Sequence, residues 1–141
     1  MFVDASVLVA ILAREADGPH WLDRLTAAPD LTVSPLVRYE ATVALAGVKS
    51  RDAGSGRRPT PELLLGAQEA VDLLLDGLGA TQIPITPEIG SLALDAAARF
   101  GKAVGHAADL NFGDCFAYAC AKAEGGALLY KGEDFSKTDL A

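Results

Sequence analysis

The sequence predicts one α/β domain in which a short, mostly parallel sheet is sandwiched between helices. Three observations lead there. Short apolar runs with strand-favouring residues alternate with helix-length segments along the chain. Three of the helical segments open on a hydroxyl residue followed by proline, the cap and first-turn pair: Ser34-Pro35, Thr60-Pro61 and Thr86-Pro87. A length of 141 residues, half of them apolar, suits a single domain, 1–141, with a sizeable core.

Met1 to Val3 reads as the first strand, followed at once by Asp4 and Ser6 and then by a helix over Val7 to Ala13. A second helix is expected over Asp17 to Ala28, with Asp17 as its N-cap, and a second strand over Leu31 to Val33. The third helix runs from Pro35 to about Val48. Ser50 to Pro61 holds two glycines, two prolines and several charges, which predicts a flexible clip. A helix from Thr60 or Pro61 to about Gly79 should turn Leu63, Leu64, Ala67, Val71, Leu74, Leu75 and Leu78 inward. Thr81 to Ile85 is the third strand, and Pro87 to Phe100 the next helix, stopped by Gly101. Gly105 to Asn111 reads as a loop, Phe112 to Glu124 as a helix, Ala127 to Tyr130 as the fourth strand, and the remainder as a polar tail.

Twelve Lys and Arg against nineteen Asp and Glu give a net charge of −7, the wrong sign for holding nucleic acid by bulk charge. No apolar stretch approaches the ~20 residues that cross a bilayer, and the N-terminus lacks a signal-peptide pattern, so no membrane association and a cytoplasmic location are expected. Cys115 and Cys120 lie five apart on one helix and point to different sides, which predicts buried, reduced thiols. With only His20 and His106 besides, a structural zinc site lacks ligands.

Chemistry resides in the acids. In sheets of this type ligands bind beyond the carboxyl ends of the strands, and Asp4 and Asp134 follow the first and last strands at one rim. Glu40 has Leu36, Val37, Val43 and Ala44 at helical spacing around it, which places a carboxylate in the buried face of its helix. Asp114 falls in the first turn of a largely apolar helix. Taken singly, Asp4 and Asp114 read equally well as capping acids, Asp134 as a solvated charge, and Glu40 as half of a buried ion pair with Arg38 or a distant lysine. Together, carboxylates at one rim would repel one another unless a cation compensated them. Oxygen donors without His or Cys select Mg²⁺ or Mn²⁺, and such a cation suits phosphodiester hydrolysis. Lys49, Arg51, Arg57 and Arg58 in the clip, with Lys131 and Lys137 beside Asp134, would add positive charge for a polyanion.

The sequence resembles the PIN-domain ribonuclease toxins of VapBC toxin–antitoxin modules. The resemblance is carried by Phe2-Val3-Asp4-Ala5-Ser6, by Glu40 in Arg38-Tyr39-Glu40, and by two longer stretches. These are Leu110-Asn111-Phe112-Gly113-Asp114-Cys115-Phe116-Ala117-Tyr118-Ala119 and Leu128-Leu129-Tyr130-Lys131-Gly132-Glu133-Asp134-Phe135. It implies a three-layer α/β/α PIN fold and Mg²⁺-dependent endonucleolytic cleavage of RNA, with Mn²⁺ able to substitute and tRNA or rRNA as substrate. It also implies inhibition of translation, a homodimer, and a cognate VapB-type antitoxin that assembles with the toxin into a hetero-oligomer. Carried over by position, Asp4, Glu40, Asp114 and Asp134 would be the catalytic, metal-binding acids, and Ser6 would orient water or the first acid. Asn111 would hold the Asp114 carboxylate or the opening of its helix. Glu133 stands where Asp or Asn is usual, Tyr130 replaces a phenylalanine, and Asp109 is an additional acid, so Glu133 and Asp134 both compete for the fourth place.

Other classes fit less well. A receiver domain needs a second acid beside Asp4 and an Asp closing a central strand. An aspartyl phosphatase needs Asp where Ser6 stands. Gly54-Ser55-Gly56 follows a helix rather than a strand, and no P-loop pattern occurs. The non-enzymatic alternative is an inactive PIN domain that binds RNA or a protein partner.

Overall fold

The computed structural model describes residues 1–54 and 58–140. Its elements run β1 (Phe2–Val3), α1 (Ala5–Leu12), α2 (Gly18–Ala27), β2 (Thr32–Val33), α3 (Pro35–Asp52), α4 (Pro61–Gly77), β3 (Thr81–Gln82), α5 (Pro87–Phe100), a 3₁₀ turn (Lys102–Val104), α6 (Phe112–Ala123) and β4 (Leu128–Leu129). The four short strands form one sheet in the order β3-β2-β1-β4, with every pairing parallel. Helices cover both faces in a PIN-like α/β/α arrangement. Phe2 pairs with Thr32 on one side and Leu128 on the other, so β1 is central and both its residues are buried. The first and last strands of the chain are thereby neighbours, and the Asp4 amide donates to the Leu129 carbonyl at 2.9 Å.

The hydroxyl–proline signals operate as expected. Ser34, Thr60 and Thr86 each accept the backbone N–H three residues on, and proline occupies the first turn that follows. Several boundaries shift for local reasons. Helix α1 begins at Ala5 because Asp4 itself is the cap, accepting the Ser6 amide at 2.9 Å. Asp17 occupies the cap position of α2 but makes no side-chain cap bond, since its carboxylate is engaged by Trp21 and Lys131. Strand β3 stops at Gln82: Ile83 still donates to Val33, but β2 ends there, because Ser34 caps the helix that follows.

Helix α3 runs through Asp52, four residues beyond its expected end. The first residues of the expected clip, Ser50 to Asp52, are therefore helical, Ser50 is buried, and Lys49 and Arg51 sit in the last turn where cations favour a helix C-terminus. Residues 55–57, the centre of that clip, lie outside the described residues. Helices α3 and α4 pack side by side, joined by a bidentate ion pair in which Arg38 Nε and Nη2 meet Asp72 Oδ1 and Oδ2 at 2.6 and 2.7 Å. On α4 the buried line is Ala67, Val71 and Leu75. Leu64, expected inside, is exposed, because α3 covers a narrower stripe than the apolar pattern offers.

The C-terminal segment packs against the body instead of trailing as a tail. Phe135 is buried with its ring 5.0 Å from that of Tyr130. Tyr118, buried on α6, donates its hydroxyl to Asp139 at 2.7 Å, and Arg99 and Lys122 flank the same carboxylate. These partners, the tyrosine hydroxyl first, hold Asp139 down at about 2. Tyr118→Phe removes the hydroxyl that anchors the segment. The expected cost is about 1 kcal/mol in denaturant unfolding, with faster proteolytic trimming after Tyr130.

Candidate functional site

Beyond the carboxyl ends of β1 and β4, and against the start of α6, lies a cleft of about 450 Å³. Asp4, Ser6, Glu40, Asp114 and Asp134 all line it, together with Glu15, Lys131 and Gly132. Residues spread over 130 positions of sequence are thus brought to one rim by a central β1 that pairs with β4. Glu133 is not among the lining residues, so Asp134 is the acid that the last segment presents.

Each acid is placed by its own local structure. Asp4 is 8% exposed, and its Oδ2 accepts two bonds, from the Ser6 amide at 2.9 Å and the Ser6 hydroxyl at 2.5 Å. Asp114 belongs to a reciprocal capping box. Its amide donates to Asn111 Oδ1 at 3.1 Å, and its own Oδ2 accepts from the Asn111 amide at 2.8 Å. Asn111 therefore holds both the carboxylate and the helix opening. Asp134 follows Gly132, whose φ of +105° turns the chain sharply after β4 in a way that disfavours any side chain.

Glu40 departs from expectation. Val43 and Ala44 are exposed, and the buried stripe of α3 passes instead through Val37, Ala41 and Leu45. Glu40 lies half-buried at the edge of that stripe, facing the cleft. Nor does it pair with Arg38, which is committed to Asp72. Gly113, a residue with no role assigned from the sequence, lies against this carboxylate. A Cβ on Gly113 would fall 1.8 Å from Glu40 Oε1, so the carboxylate keeps this position only while residue 113 is glycine. A glycine inside a helical first turn, where other residues are preferred, is the signal that marks it.

The electrostatics follow from this crowding. Burial, then the charges of Asp4 and Asp114, push Glu40 up to about 7. Burial also pushes Asp114 up to about 6, against the lowering effect of the Asn111 amide, and Asp134, Asp4 and Asp109 add to the rise. Among the described residues no Lys or Arg forms an ion pair with any of the four acids. Lys131 binds Glu15 and Asp17, and Lys137 donates to the Ala107 carbonyl. No three Asp, Glu, His or Cys side chains among the described residues close into a ready-made metal cage. The acids line an open cleft, and that suits Mg²⁺, which keeps several waters and uses one or two carboxylates together with substrate phosphates. The all-oxygen donor set fits the same ion.

The sequence profile of the PIN domain matches residues 1–140. This chain belongs to the PIN-domain family. Within the family it is 49% identical to a VapC ribonuclease of Rhizobium meliloti (strain 1021), over 99% of this chain and 98% of the relative. It is 35% identical to ribonuclease VapC28 of Mycobacterium tuberculosis (strain H37Rv), over 99% of this chain and 95% of that protein. The crystal structure of M. tuberculosis VapC20, a toxin that cleaves the sarcin–ricin loop, superposes with a TM-score of 0.68 and covers 96% of this chain and 92% of that one. At 19% identity this last likeness bears on the fold alone.

The raised acids give this PIN domain a specific pH response. Both carboxyls are harder to ionise when folded than when unfolded, so their contribution favours folding at low pH and is lost as pH rises. The window runs from their ordinary values of 4.5 and 3.8 to about 7 and about 6. In chelator, the unfolding free energy should fall by about 1 kcal/mol per acid between pH 5 and pH 8, after allowance for partial solvent exposure. If these carboxylates hold a divalent ion, excess Mg²⁺ should remove that slope, because a bound cation would compete with protons for the same groups. Calorimetric melting at several pH values, with and without Mg²⁺, checks both statements.

Proposed function

We propose that this PIN domain is a Mg²⁺-dependent endoribonuclease, with Mn²⁺ able to substitute, and the toxin of a type II toxin–antitoxin pair. The observation that carries the reading is the convergence of Asp4, Glu40, Asp114 and Asp134 on one cleft without a compensating protein cation among the described residues. A bound divalent ion would supply Lewis-acid charge for the phosphoryl oxygen and lower the pKa of water beside it. Asp4 and Asp114 would hold that ion, Glu40 and Asp134 would complete its surroundings, and Ser6 would fix the Asp4 carboxylate.

The close full-length relatives named as VapC ribonucleases support RNA as substrate, with tRNA or rRNA the expected class and inhibition of translation the consequence. They equally support a VapB-type antitoxin as partner in a hetero-oligomer. No helix among the described residues is long and apolar enough to cross a membrane. A cytoplasmic location goes with the proposed toxin function. An apolar groove of about 810 Å³ between α5 and the start of α6, where Leu94 and Phe112 are largely exposed, supports a homodimer.

The test is cleavage of end-labelled tRNA and ribosomal RNA fragments by antitoxin-free protein, with chelator, Mg²⁺ or Mn²⁺, beside Asp4→Ala. Discrete metal-dependent cuts that vanish in the variant are expected. RNA bound by folded, metal-loaded protein but left uncut would instead identify a binding module.

A further inference from the structure

Lys131 lines the acidic cleft, yet its ammonium is not free to meet a polyanion. Nζ is bonded to Glu15 and, at 2.8 Å, to Asp17 Oδ1, so two carboxylates enclose one cation. Asp17 is itself held from the other side, since its Oδ2 accepts from Trp21 Nε1 at 2.9 Å. The backbone of the same lysine reaches into the site. Its N–H donates to Ser6 Oγ at 3.0 Å, and Ser6 Oγ lies 2.5 Å from Asp4 Oδ2.

We infer that Lys131 is a positioning residue that orients Asp4 through Ser6, and not a contact for substrate phosphates; the inference rests on the reading of this cleft as a metal-dependent site. A serine hydroxyl has a single proton and two lone pairs. With one lone pair occupied by the Lys131 N–H, the proton is directed to Asp4 Oδ2. That oxygen then accepts both the Ser6 hydroxyl and the Ser6 amide, while Oδ1 has no protein donor among the described residues and is the oxygen left for a cation. The arrangement depends on where the Lys131 N–H sits. The ladder between β1 and β4 ends at the Val3–Leu129 pairing, and Gly132 turns the chain immediately afterwards, so the sheet does not fix residue 131. The side chain does so, by gripping the connection between α1 and α2. The clasp thereby ties Trp21 on α2 to Asp4 through one lysine. A cation enclosed by two acids also brings no net positive charge to the cleft, which sets aside its expected role as local charge for a polyanion.

The experiment measures Mn²⁺ affinity by titration calorimetry and steady-state RNA cleavage for wild type, Lys131→Met, Lys131→Arg, Asp17→Asn, Ser6→Ala and the Ser6→Ala/Lys131→Met double variant, each verified as folded by its melting curve. Lys131→Met should weaken Mn²⁺ binding and lower kcat by about tenfold, as loss of groups that orient metal ligands does, with KM unchanged. Lys131→Arg should recover most of both, because it restores a cation between the two acids. The double variant should be no worse than Ser6→Ala alone, since both changes act along one path. Asp17→Asn keeps the lysine and should show the same kcat loss in weaker form. The inference is overturned if Lys131→Met raises KM at constant kcat and reduces the salt slope of RNA binding by about one, the behaviour of a phosphate contact. Wild-type Mn²⁺ affinity in Lys131→Met overturns it as well. Wild-type protein that neither binds Mn²⁺ nor cuts RNA would remove the underlying reading of the cleft, a result distinct from either.

Discussion

Asp114→Asn is expected to lower RNA cleavage by at least about 100-fold while leaving the fold intact. Removing a group that merely orients a metal ligand costs 10- to 100-fold, so removing the charge of the acid proposed as a ligand should cost no less. The fold should survive because asparagine keeps a carbonyl oxygen at the position where Asp114 Oδ2 accepts from the Asn111 amide, and the capping box can persist. Metal-free stability should increase. Burial and the charges of Asp134 and Asp4 hold Asp114 up at about 6, so at pH 8 its ionised form opposes folding, and the neutral amide relieves that by about 1 kcal/mol. Glu40 should stay raised, since burial is the main cause, with the smaller contribution of the Asp114 charge removed. Single-turnover cleavage and melting in chelator at pH 8 measure the two effects. Full activity in a metal-loaded Asp114→Asn protein would falsify the assignment of this acid.

Gly113→Ala is expected to be nearly as damaging to cleavage, through sterics alone. The added methyl would meet Glu40 Oε1 at 1.8 Å and its Cδ at 2.6 Å, well inside contact distance. What gives way is the end of a flexible side chain, so Glu40 swings aside and the helices need not move. Alanine also favours a helical first turn over glycine by about 1 kcal/mol, which offsets part of the disturbance. The expected outcome is a fall in cleavage of about 100-fold, the cost of misplacing a reactive group by an ångström, with melting close to wild type. Cleavage at the wild-type rate with Glu40 displaced would show that this carboxylate is dispensable. A Glu40→Gln/Gly113→Ala double variant should be little worse than Glu40→Gln, because both act on one group.

The elements were legible because their signals are local. Ser34, Thr60 and Thr86 announce helix starts within three residues of themselves, and short β-favouring runs announce strands. The errors arose where a neighbour in space decided. Helix α3 continues to Asp52, with Ser50 buried against the body, and Leu64 is exposed although it lies on the apolar face of α4. The helical periodicity around Glu40 includes Val43 and Ala44, but periodicity reports which residues are apolar, not which face another element covers.

The acids of the site divide in the same way. By itself the sequence determined which carboxylates stand at strand ends and helix starts, and that they come without His or Cys, because position after a strand and donor type are properties of short segments. That Asp4, Glu40, Asp114 and Asp134 share one cleft was decided only by the tertiary structure, since it depends on β1 lying between β2 and β4 and on Gly113 admitting Glu40. The same holds for Lys131, read in the sequence as charge for a polyanion and found in the fold bonded to Glu15, Asp17 and Ser6. Strand order and close approach are long-range properties, set by how the whole chain buries its apolar surface, and no local pattern encodes them.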